Sequence, residues 1–248
     1  MGARSYDVQG HAAAKAGRKS AILTGMPIEV LPAQGRFRTE EAGRDTWHSF
    51  SFGVHYDPHN VGFGALLAHN DDHLDASAGY PDHPHRDTEI VTWVIEGALR
   101  HRDDLGNEGV LEAGSVQLLS AGSGVIHTEY ADGVPTRFVQ SWLRPDTTGL
   151  TPSYVRAEVG PGLTCVADDG GALPLHTRGA SCHVATLTAN EAVTLPDSPR
   201  LHIFTATGSA LVGDRLLRPG DAARLIHEGG RSLRAETAGT SLLIWALA

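Results

Sequence analysis

Cysteine is scarce in this sequence of 248 residues, which contains only Cys165 and Cys182. These two residues form no C-x-x-C motif and are too few for a disulfide framework. The sequence also lacks any apolar run as long as a membrane-spanning helix. We therefore expect a protein of the reducing cytoplasm that does not span a membrane.

Positive charge is the second shortage, with 20 lysine and arginine residues against 29 aspartate and glutamate residues and a formal net charge of -9. The lysines and arginines form no dense cluster. Neutralising phosphate groups requires clustered cations, so direct binding to nucleic acid or to an anionic membrane is not expected. The apolar run near residue 21 is too short for a signal peptide, and residues 1–27 are predicted to form a flexible extension.

A helical period is also missing, whereas apolar and polar residues alternate with a period of two in many short segments. Glu89–Ile95 is strongly β-prone. The 29 glycines and 13 prolines suit the tight turns between such segments. This pattern predicts an all-β barrel or sandwich. The polar segment 69–82 is predicted to be a loop that contains solvated His69 and His73.

Two barrels in tandem are predicted, because the turn pattern of the first half returns after a linker at 145–152. Segments with comparable turns occur in the same order in both halves, namely 96–97 with 207–208 and 111–116 with 217–222. Two matches in one order indicate an internal duplication. We predict a first barrel at 28–146 and a second barrel at 147–248, and we expect the protein to be a monomer.

Histidine is the residue type in which the sequence is rich, with 14 in all and ten before residue 130. His83-Pro84-His85 places two imidazoles on one face of an extended segment. His127-Thr128-Glu129 does the same for an imidazole and a carboxylate. Alternate residues of a small barrel point inward, so neighbouring strands would bring the four groups together.

Three imidazoles and one carboxylate suit a divalent Fe, Mn, Ni, Cu or Zn ion. With these four ligands, an octahedral ion keeps two positions for substrate or dioxygen. Either motif alone is more typical of a strand with polar residues facing water, and it is their combination that predicts a metal site. A structural zinc with closed tetrahedral coordination remains an alternative, because the same four residues would supply it.

Three segments carry a family resemblance, namely H-P-H-R-D-T-E-I-V-T-W-V-I-E-G (83–97), H-R-D-D-L-G-N (101–107) and S-A-G-S-G-V-I-H-T-E-Y (120–130). They resemble the pirin family of the cupin superfamily. The resemblance is strong over about residues 44–145. It implies two cupin (jelly-roll type) β-barrels with a metal in the first barrel only.

The resemblance places the metal ligands at His83, His85, His127 and Glu129. It implies that Glu89, at the position where other cupins have a ligand, is not one. In the second barrel, the positions of the first two ligands correspond to residues without imidazoles, and that barrel is predicted to be metal-free. Four later histidines lack the spacing and are predicted to be ordinary surface or core residues: His176, His183, His202 and His227.

Two functions follow from the resemblance. The first is quercetin 2,3-dioxygenase activity on a flavonol-like substrate with O2, for which Fe(II) is our first choice of metal and Glu129 the candidate proton acceptor. Phe52 and Trp93 would line the mouth of the barrel or belong to its core. The second is a metal-dependent regulatory role through a protein partner, either a transcription factor or a metabolic enzyme.

Overall fold

The computed structural model describes residues 28–248. They form 21 strands and one short 3₁₀ helix, Ala33–Gly35. The predicted all-β fold is confirmed, whereas the predicted extension at 1–27 lies outside the described residues. No helix in this described part is long and apolar enough to cross a membrane.

The strands of the first half of the chain are β1 (Ile28–Leu31), β2 (Phe37–Glu41), β3 (Arg44–His48), β4 (Leu66–Leu74), β5 (Gly79–His85), β6 (Glu89–Glu96), β7 (Ala98–Asp103), β8 (Glu108–Glu112), β9 (Ser115–Ser120), β10 (Val125–Ala131) and β11 (Thr136–Leu143). Those of the second half are β12 (Ser153–Glu158), β13 (Gly162–Ala167), β14 (Ser181–Leu187), β15 (Ala192–Thr194), β16 (Arg200–Thr207), β17 (Ala210–Val212), β18 (Arg215–Leu217), β19 (Ala222–Ile226), β20 (Ser232–Ala235) and β21 (Thr240–Leu247).

The first barrel has a seven-stranded sheet in the order β12-β9-β6-β11-β4-β3-β2 and a four-stranded sheet in the order β5-β10-β7-β8. Apolar clusters fill two ends of the interior. On β6, Ile90 belongs to one cluster and Val94 to the other, and Thr92 lies between them. Because alternate residues of a strand share one face, the same order places His127 and Glu129 between apolar neighbours on β10. The middle of this barrel is therefore polar.

The second barrel has a six-stranded sheet in the order β1-β19-β16-β21-β14-β13 and a four-stranded sheet in the order β15-β20-β17-β18. Its interior contains an aliphatic cluster formed by Ile28, Ala185, Leu187, Leu195, Leu201, Ile203, Ala210, Val212, Leu217, Ala223, Leu225, Leu233, Ala235, Leu242, Ile244 and Ala246. The two barrels thus share an architecture but differ in what fills them.

The larger sheets of the two barrels pack against each other. Their shared apolar layer includes Phe50, Trp93 and Val139 from the first barrel and Phe204 and Trp245 from the second. Burial of such large side chains from both sheets stabilises the contact between the barrels. Trp93 therefore belongs to the core.

Two strands depart from the predicted boundaries at 28–146 and 147–248. Strand β1 pairs with β19 of the second barrel, where Ile28 faces Leu225. Strand β12 pairs with β9 of the first barrel, where Ser153 faces Ser120. A linker composition marks where the chain turns, but it carries no information about which sheet the next strand joins.

The predicted loop at 69–82 is wrong, because most of its residues belong to β4 and β5. Its first polar side chains, His69 to Asp72, are buried, whereas His73 is exposed as predicted. The imidazole of His69 is fully buried and its Nδ1 lies 3.0 Å from the hydroxyl of Ser141. Burial lowers the pKa of His69 to about 3, so this buried ring is neutral.

Asp72 of β4 is a buried carboxyl group whose charge is unfavourable. Its Oδ1 accepts hydrogen bonds of 2.6 Å from the hydroxyl groups of both Thr46 and Tyr80. Burial raises the pKa of Asp72 to about 7. Since an unfolded aspartate titrates near pH ~3.9, the contribution of this group to stability is lost as the pH rises from about 4 to 7.

The variant Asp72→Asn is not expected to lose stability as the pH rises, since its amide oxygen still accepts hydrogen bonds and carries no charge. The difference in free energy of unfolding between the variant and the wild type should grow in favour of the variant from pH 4 to pH 8, reaching about 1–3 kcal/mol. Urea unfolding across this pH range measures it. The exposed Asp75→Asn is the control, and a difference for Asp72→Asn that does not vary with pH would contradict the argument.

Candidate metal centre

Three of the four predicted ligands meet on neighbouring antiparallel strands. In the pairing of β10 with β5, His127 faces His83 and Val125 faces His85. The ring centroids of His83 and His85 lie 4.2 and 5.0 Å from that of His127. One nitrogen of each ring lies within 4.8 Å of the others. Period-two alternation on both strands therefore brings these imidazoles together as the sequence predicts.

Glu129 lies beside this group rather than within it. The register of β10 against β5 shifts after His127, so that Glu129 faces Tyr80. Two residues of β10 thus span three residues of β5, which is a β-bulge. The carboxylate instead joins His127 and His101 in a second group whose ligand atoms also lie within 4.8 Å of one another. His127 is common to both groups.

The ring nitrogens of the first group suit a divalent cation. Both nitrogens of His127 and Nε2 of His85 are buried and have no hydrogen-bond partner among the described residues. Burial, with the neighbouring histidines, lowers the pKa of His127 to about 3 and that of His85 to about 4. Both rings are therefore neutral and keep a lone pair. An unpaired buried nitrogen is costly, and coordination of a metal would satisfy it.

His83 is oriented by the backbone of its own strand. Its Nδ1 lies 2.8 Å from the carbonyl oxygen of Pro81, which can only accept a hydrogen bond. Nδ1 therefore carries the proton and Nε2 keeps the lone pair. A hydrogen bond of this kind on the second ring nitrogen is the usual way in which a metal-binding imidazole is held in place.

Glu129 is held by two glutamine amides. Its Oε1 accepts a 3.0 Å hydrogen bond from Nε2 of Gln117, and its Oε2 accepts one of 2.8 Å from Nε2 of Gln140. The oxygen of Gln140 accepts from the indole N–H of Trp142, which can only donate. The oxygen of Gln117 accepts from the hydroxyl of Tyr154. Both amides are thus fixed with N–H groups toward the carboxylate.

His101 is a site residue that the motif spacing did not indicate. It is fully buried, its ring stacks on Tyr154 at 4.3 Å, and its Nε2 lies 3.2 Å from Oδ2 of Asp103. Burial raises the pKa of Asp103, but hydrogen bonds from Asn107 and His101 more than offset this and hold it below its usual value. A single histidine without H-x-H or H-x-E spacing gives no signal for a ligand, and the glutamines give none either.

The centre is most open toward β5, the edge strand of its sheet. His83 and His85 are half-buried there, whereas the other members of the two groups are buried. Trp142 contacts His85 edge-on at 4.9 Å and contacts Phe52 at 5.2 Å. Phe52 is half-buried, so an aromatic wall leads from the imidazoles toward the surface.

Glu89 lies elsewhere, in neither of the two groups. Its buried carboxylate accepts a 2.6 Å hydrogen bond from Ser120 and lies 3.4 Å from Nδ1 of His176 in the second half of the chain. These contacts make it a satisfied polar group next to the interface between the barrels. Both groups of potential ligands found among residues 28–248 lie in the first barrel.

Comparisons with known proteins agree with this architecture. The family model for pirin matches residues 31–143. A Mycobacterium bovis protein named "Putative quercetin 2,3-dioxygenase" is 43% identical over 232 residues, which are 89% of this chain and 95% of that protein. The quercetin 2,3-dioxygenase of Escherichia coli K12 is 45% identical over 129 residues, which are 51% of this chain and 56% of that enzyme.

A solved structure extends the likeness to the whole fold. The crystal structure of the bacterial pirin YhhW from Escherichia coli in complex with nickel(II) superimposes with a TM-score of 0.83 at 30% identity. The match covers 89% of this chain and 98% of that one. Two cupin barrels, the pirin family match and extensive identity to relatives agree, and the chain therefore belongs to the pirin family.

Proposed function

We propose that the protein is a metal-dependent dioxygenase that opens the central ring of a flavonol-like substrate with O2, as a quercetin 2,3-dioxygenase does. The observation that carries this proposal is the convergence of three imidazoles, with unpaired nitrogens on His85 and His127, beside a fixed carboxylate. The names of the mycobacterial and Escherichia coli relatives support the choice of reaction.

His83, His85, His127 and Glu129 are the proposed metal ligands. Imidazole and carboxylate donors suit several divalent ions. Fe(II) is our first assignment, and Ni(II) is the alternative with direct support from the pirin YhhW structure. When bound, the cation supplies Lewis acidity toward the substrate's 3-hydroxyl and 4-carbonyl and access to dioxygen chemistry.

Glu129 is the proposed acceptor of the proton from the 3-hydroxyl group. A carboxylate is a suitable base for this step, which prepares the ring for reaction with dioxygen and release of carbon monoxide. Gln117 and Gln140 hold its two oxygens through amide hydrogen bonds of 3.0 and 2.8 Å. We propose that these amides keep the carboxylate oriented while it gains and returns the proton.

The loop between β3 and β4 is the proposed binding surface for the aromatic substrate. It carries Phe52, which contacts Trp142, and Trp142 in turn contacts the imidazole of His85. It also exposes three further large side chains, Val54 at 92%, Tyr56 at 75% and Val61 at 55% of their surface. Apolar side chains exposed together on one loop are typical of a surface that receives a ligand.

The test is turnover of quercetin by protein purified without oxygen and then loaded with Fe(II) or Ni(II). We expect oxygen uptake and carbon monoxide release that require the metal, and a loss of at least ~100-fold in His83→Ala. The exposed His227→Asn of the second barrel, which also removes one imidazole and suits the positive φ of that position, should keep full activity. Full metal loading without any turnover would overturn the proposal and favour a regulatory metal protein.

A further inference from the structure

The buried side of the centre contains a second set of donors. The ligand atoms of His101, His127 and Glu129 lie within 4.8 Å of one another, and these residues are 0%, 1% and 1% exposed. Only His127 also belongs to the group with His83 and His85. Three buried donors at coordination spacing, drawn from two neighbouring strands, need a physical explanation.

The tautomer of His101 follows from its partner. Asp103 accepts hydrogen bonds from the backbone amide and the side-chain amide of Asn107 and from the backbone amide of Leu105. A carboxylate with this many donors acts as an acceptor, so the 3.2 Å contact requires the proton of His101 to be on Nε2. Nδ1 then keeps its lone pair, and this buried atom has no hydrogen-bond partner among the described residues.

A structural role does not account for that nitrogen. Stacking on Tyr154 explains why the position favours an aromatic ring, and Asp103 explains Nε2. A phenylalanine would stack equally well and would avoid the unfavourable burial of an unpaired acceptor. A carboxylate bound to one imidazole nitrogen, with the other nitrogen free and buried, is the arrangement that orients metal-binding histidines.

We propose that His101 is a metal ligand and that the centre has an inner coordination position for a divalent cation. His101 forms this position together with His127 and Glu129, two of the four ligands proposed above, and it lies next to the outer position of His83, His85 and His127. Both nitrogens of His127 are buried and unpaired, and because a neutral imidazole offers one lone pair, the ring serves one position at a time. The inference rests on the metal centre of the proposed function and is independent of its substrate.

The experiment measures Ni(II) binding by equilibrium dialysis and the Co(II) absorption spectrum, both without substrate. In His83→Ala, which damages the outer position, the inner position should still bind one ion. Adding His101→Phe to this variant should weaken binding by a further ~10- to 100-fold and change the Co(II) spectrum. Phenylalanine preserves the stack on Tyr154. The control is His59→Gln, which removes an imidazole away from both groups of donors and should leave Ni(II) binding unchanged.

A second substitution separates coordination from folding. The side-chain oxygen of asparagine occupies nearly the position of Nδ1, so His101→Asn should bind Ni(II) more tightly than His101→Phe although it loses the stack. The inference would be overturned if His101→Phe changed neither the Ni(II) affinity nor the Co(II) spectrum, in the wild type and in His83→Ala. That result would leave the proposed function standing. If the wild type binds no divalent ion, the inference and the proposed centre fail together. Metal binding that depends on His101 without turnover would leave the inference standing.

Discussion

Replacing His127 with alanine is expected to remove bound metal altogether, with Ni(II) affinity reduced by more than ~100-fold. The substitution removes the one imidazole that belongs to both groups of donors, so neither coordination position keeps three ligands. Loss of His83 or His101 alone leaves one group intact. His127 is therefore the residue on which the centre depends most.

Thermal unfolding with and without Ni(II) provides the measurement. An ion at 100 times its dissociation constant stabilises a folded protein by about 2.7 kcal/mol. The wild type and the exposed His59→Ala should show this increase in melting temperature, and His127→Ala should show none. Stabilisation of His127→Ala by Ni(II) equal to that of the wild type would contradict a metal role for the shared imidazole.

The same substitution should have a small effect on the metal-free protein. Without metal, both nitrogens of His127 are buried and unpaired, which is itself unfavourable. Alanine removes this cost while leaving a cavity. Because the two effects oppose each other, we expect the unfolding midpoint of the metal-free variant to lie near that of the metal-free wild type. The contrast between the two states distinguishes lost coordination from lost packing.

Replacing Asp71 with alanine is expected to destabilise the fold by about 3–5 kcal/mol. This buried carboxylate accepts hydrogen bonds of 2.9 and 3.1 Å from Arg137 and one of 3.2 Å from Arg36. Arg137 also donates to the backbone oxygen of Ala206 in the second barrel. Without Asp71, two largely buried guanidinium groups would face each other at the interface without the carboxylate that accepts hydrogen bonds from both.

The pH dependence of this effect follows from the ionisation of Asp71. Burial raises its pKa, but hydrogen bonds from His73 and Arg137 and the charges of both arginines outweigh burial and hold the pKa well below its usual value. A carboxylate whose pKa is lower in the folded protein than in the unfolded chain stabilises the fold. This stabilisation is complete above the pKa of an unfolded aspartate, about 3.9, and is lost as the pH falls below that value. The difference between wild type and Asp71→Ala should therefore shrink below pH 4.

Urea unfolding at pH 7 and at pH 3.5 measures both the size and the pH dependence of the effect. The exposed Asp75→Ala, four residues further along the chain and just after β4, is the matched control and should change stability little at either pH. A destabilisation of Asp71→Ala below ~1 kcal/mol at pH 7 would show that the arginines find other partners.

The part of the centre that sequence predicts is the part governed by alternation along single strands. His83 and His85, two positions apart, share a face in any extended segment, and so do the residues around His127. Their meeting requires only that the two strands are neighbours. The pairing of β10 with β5 fulfils this condition, with His127 opposite His83.

The rest of the centre depends on register and on partners distant in sequence. The pairing of β10 with β7 places Glu129 opposite His101, and no residue type in either segment indicates this register. Gln117 and Gln140 approach from β9 and β11, and a glutamine within a strand does not by itself indicate a carboxylate partner. The role of such residues can be inferred only once the order of the strands is known. Motif spacing alone therefore did not indicate them.

The exchange of β1 and β12 between the barrels has a consequence for how the chain is made. As the protein emerges from the ribosome, β1 has no partner until β19, near the other end, has been synthesised. The larger sheet of the first barrel likewise lacks its edge until β12 has left the exit tunnel. Contacts between such distant segments close late. Translation must therefore be nearly finished before β1 can pair, and a nascent chain stalled at residue 146 would present the bare edge of β9 to its neighbours.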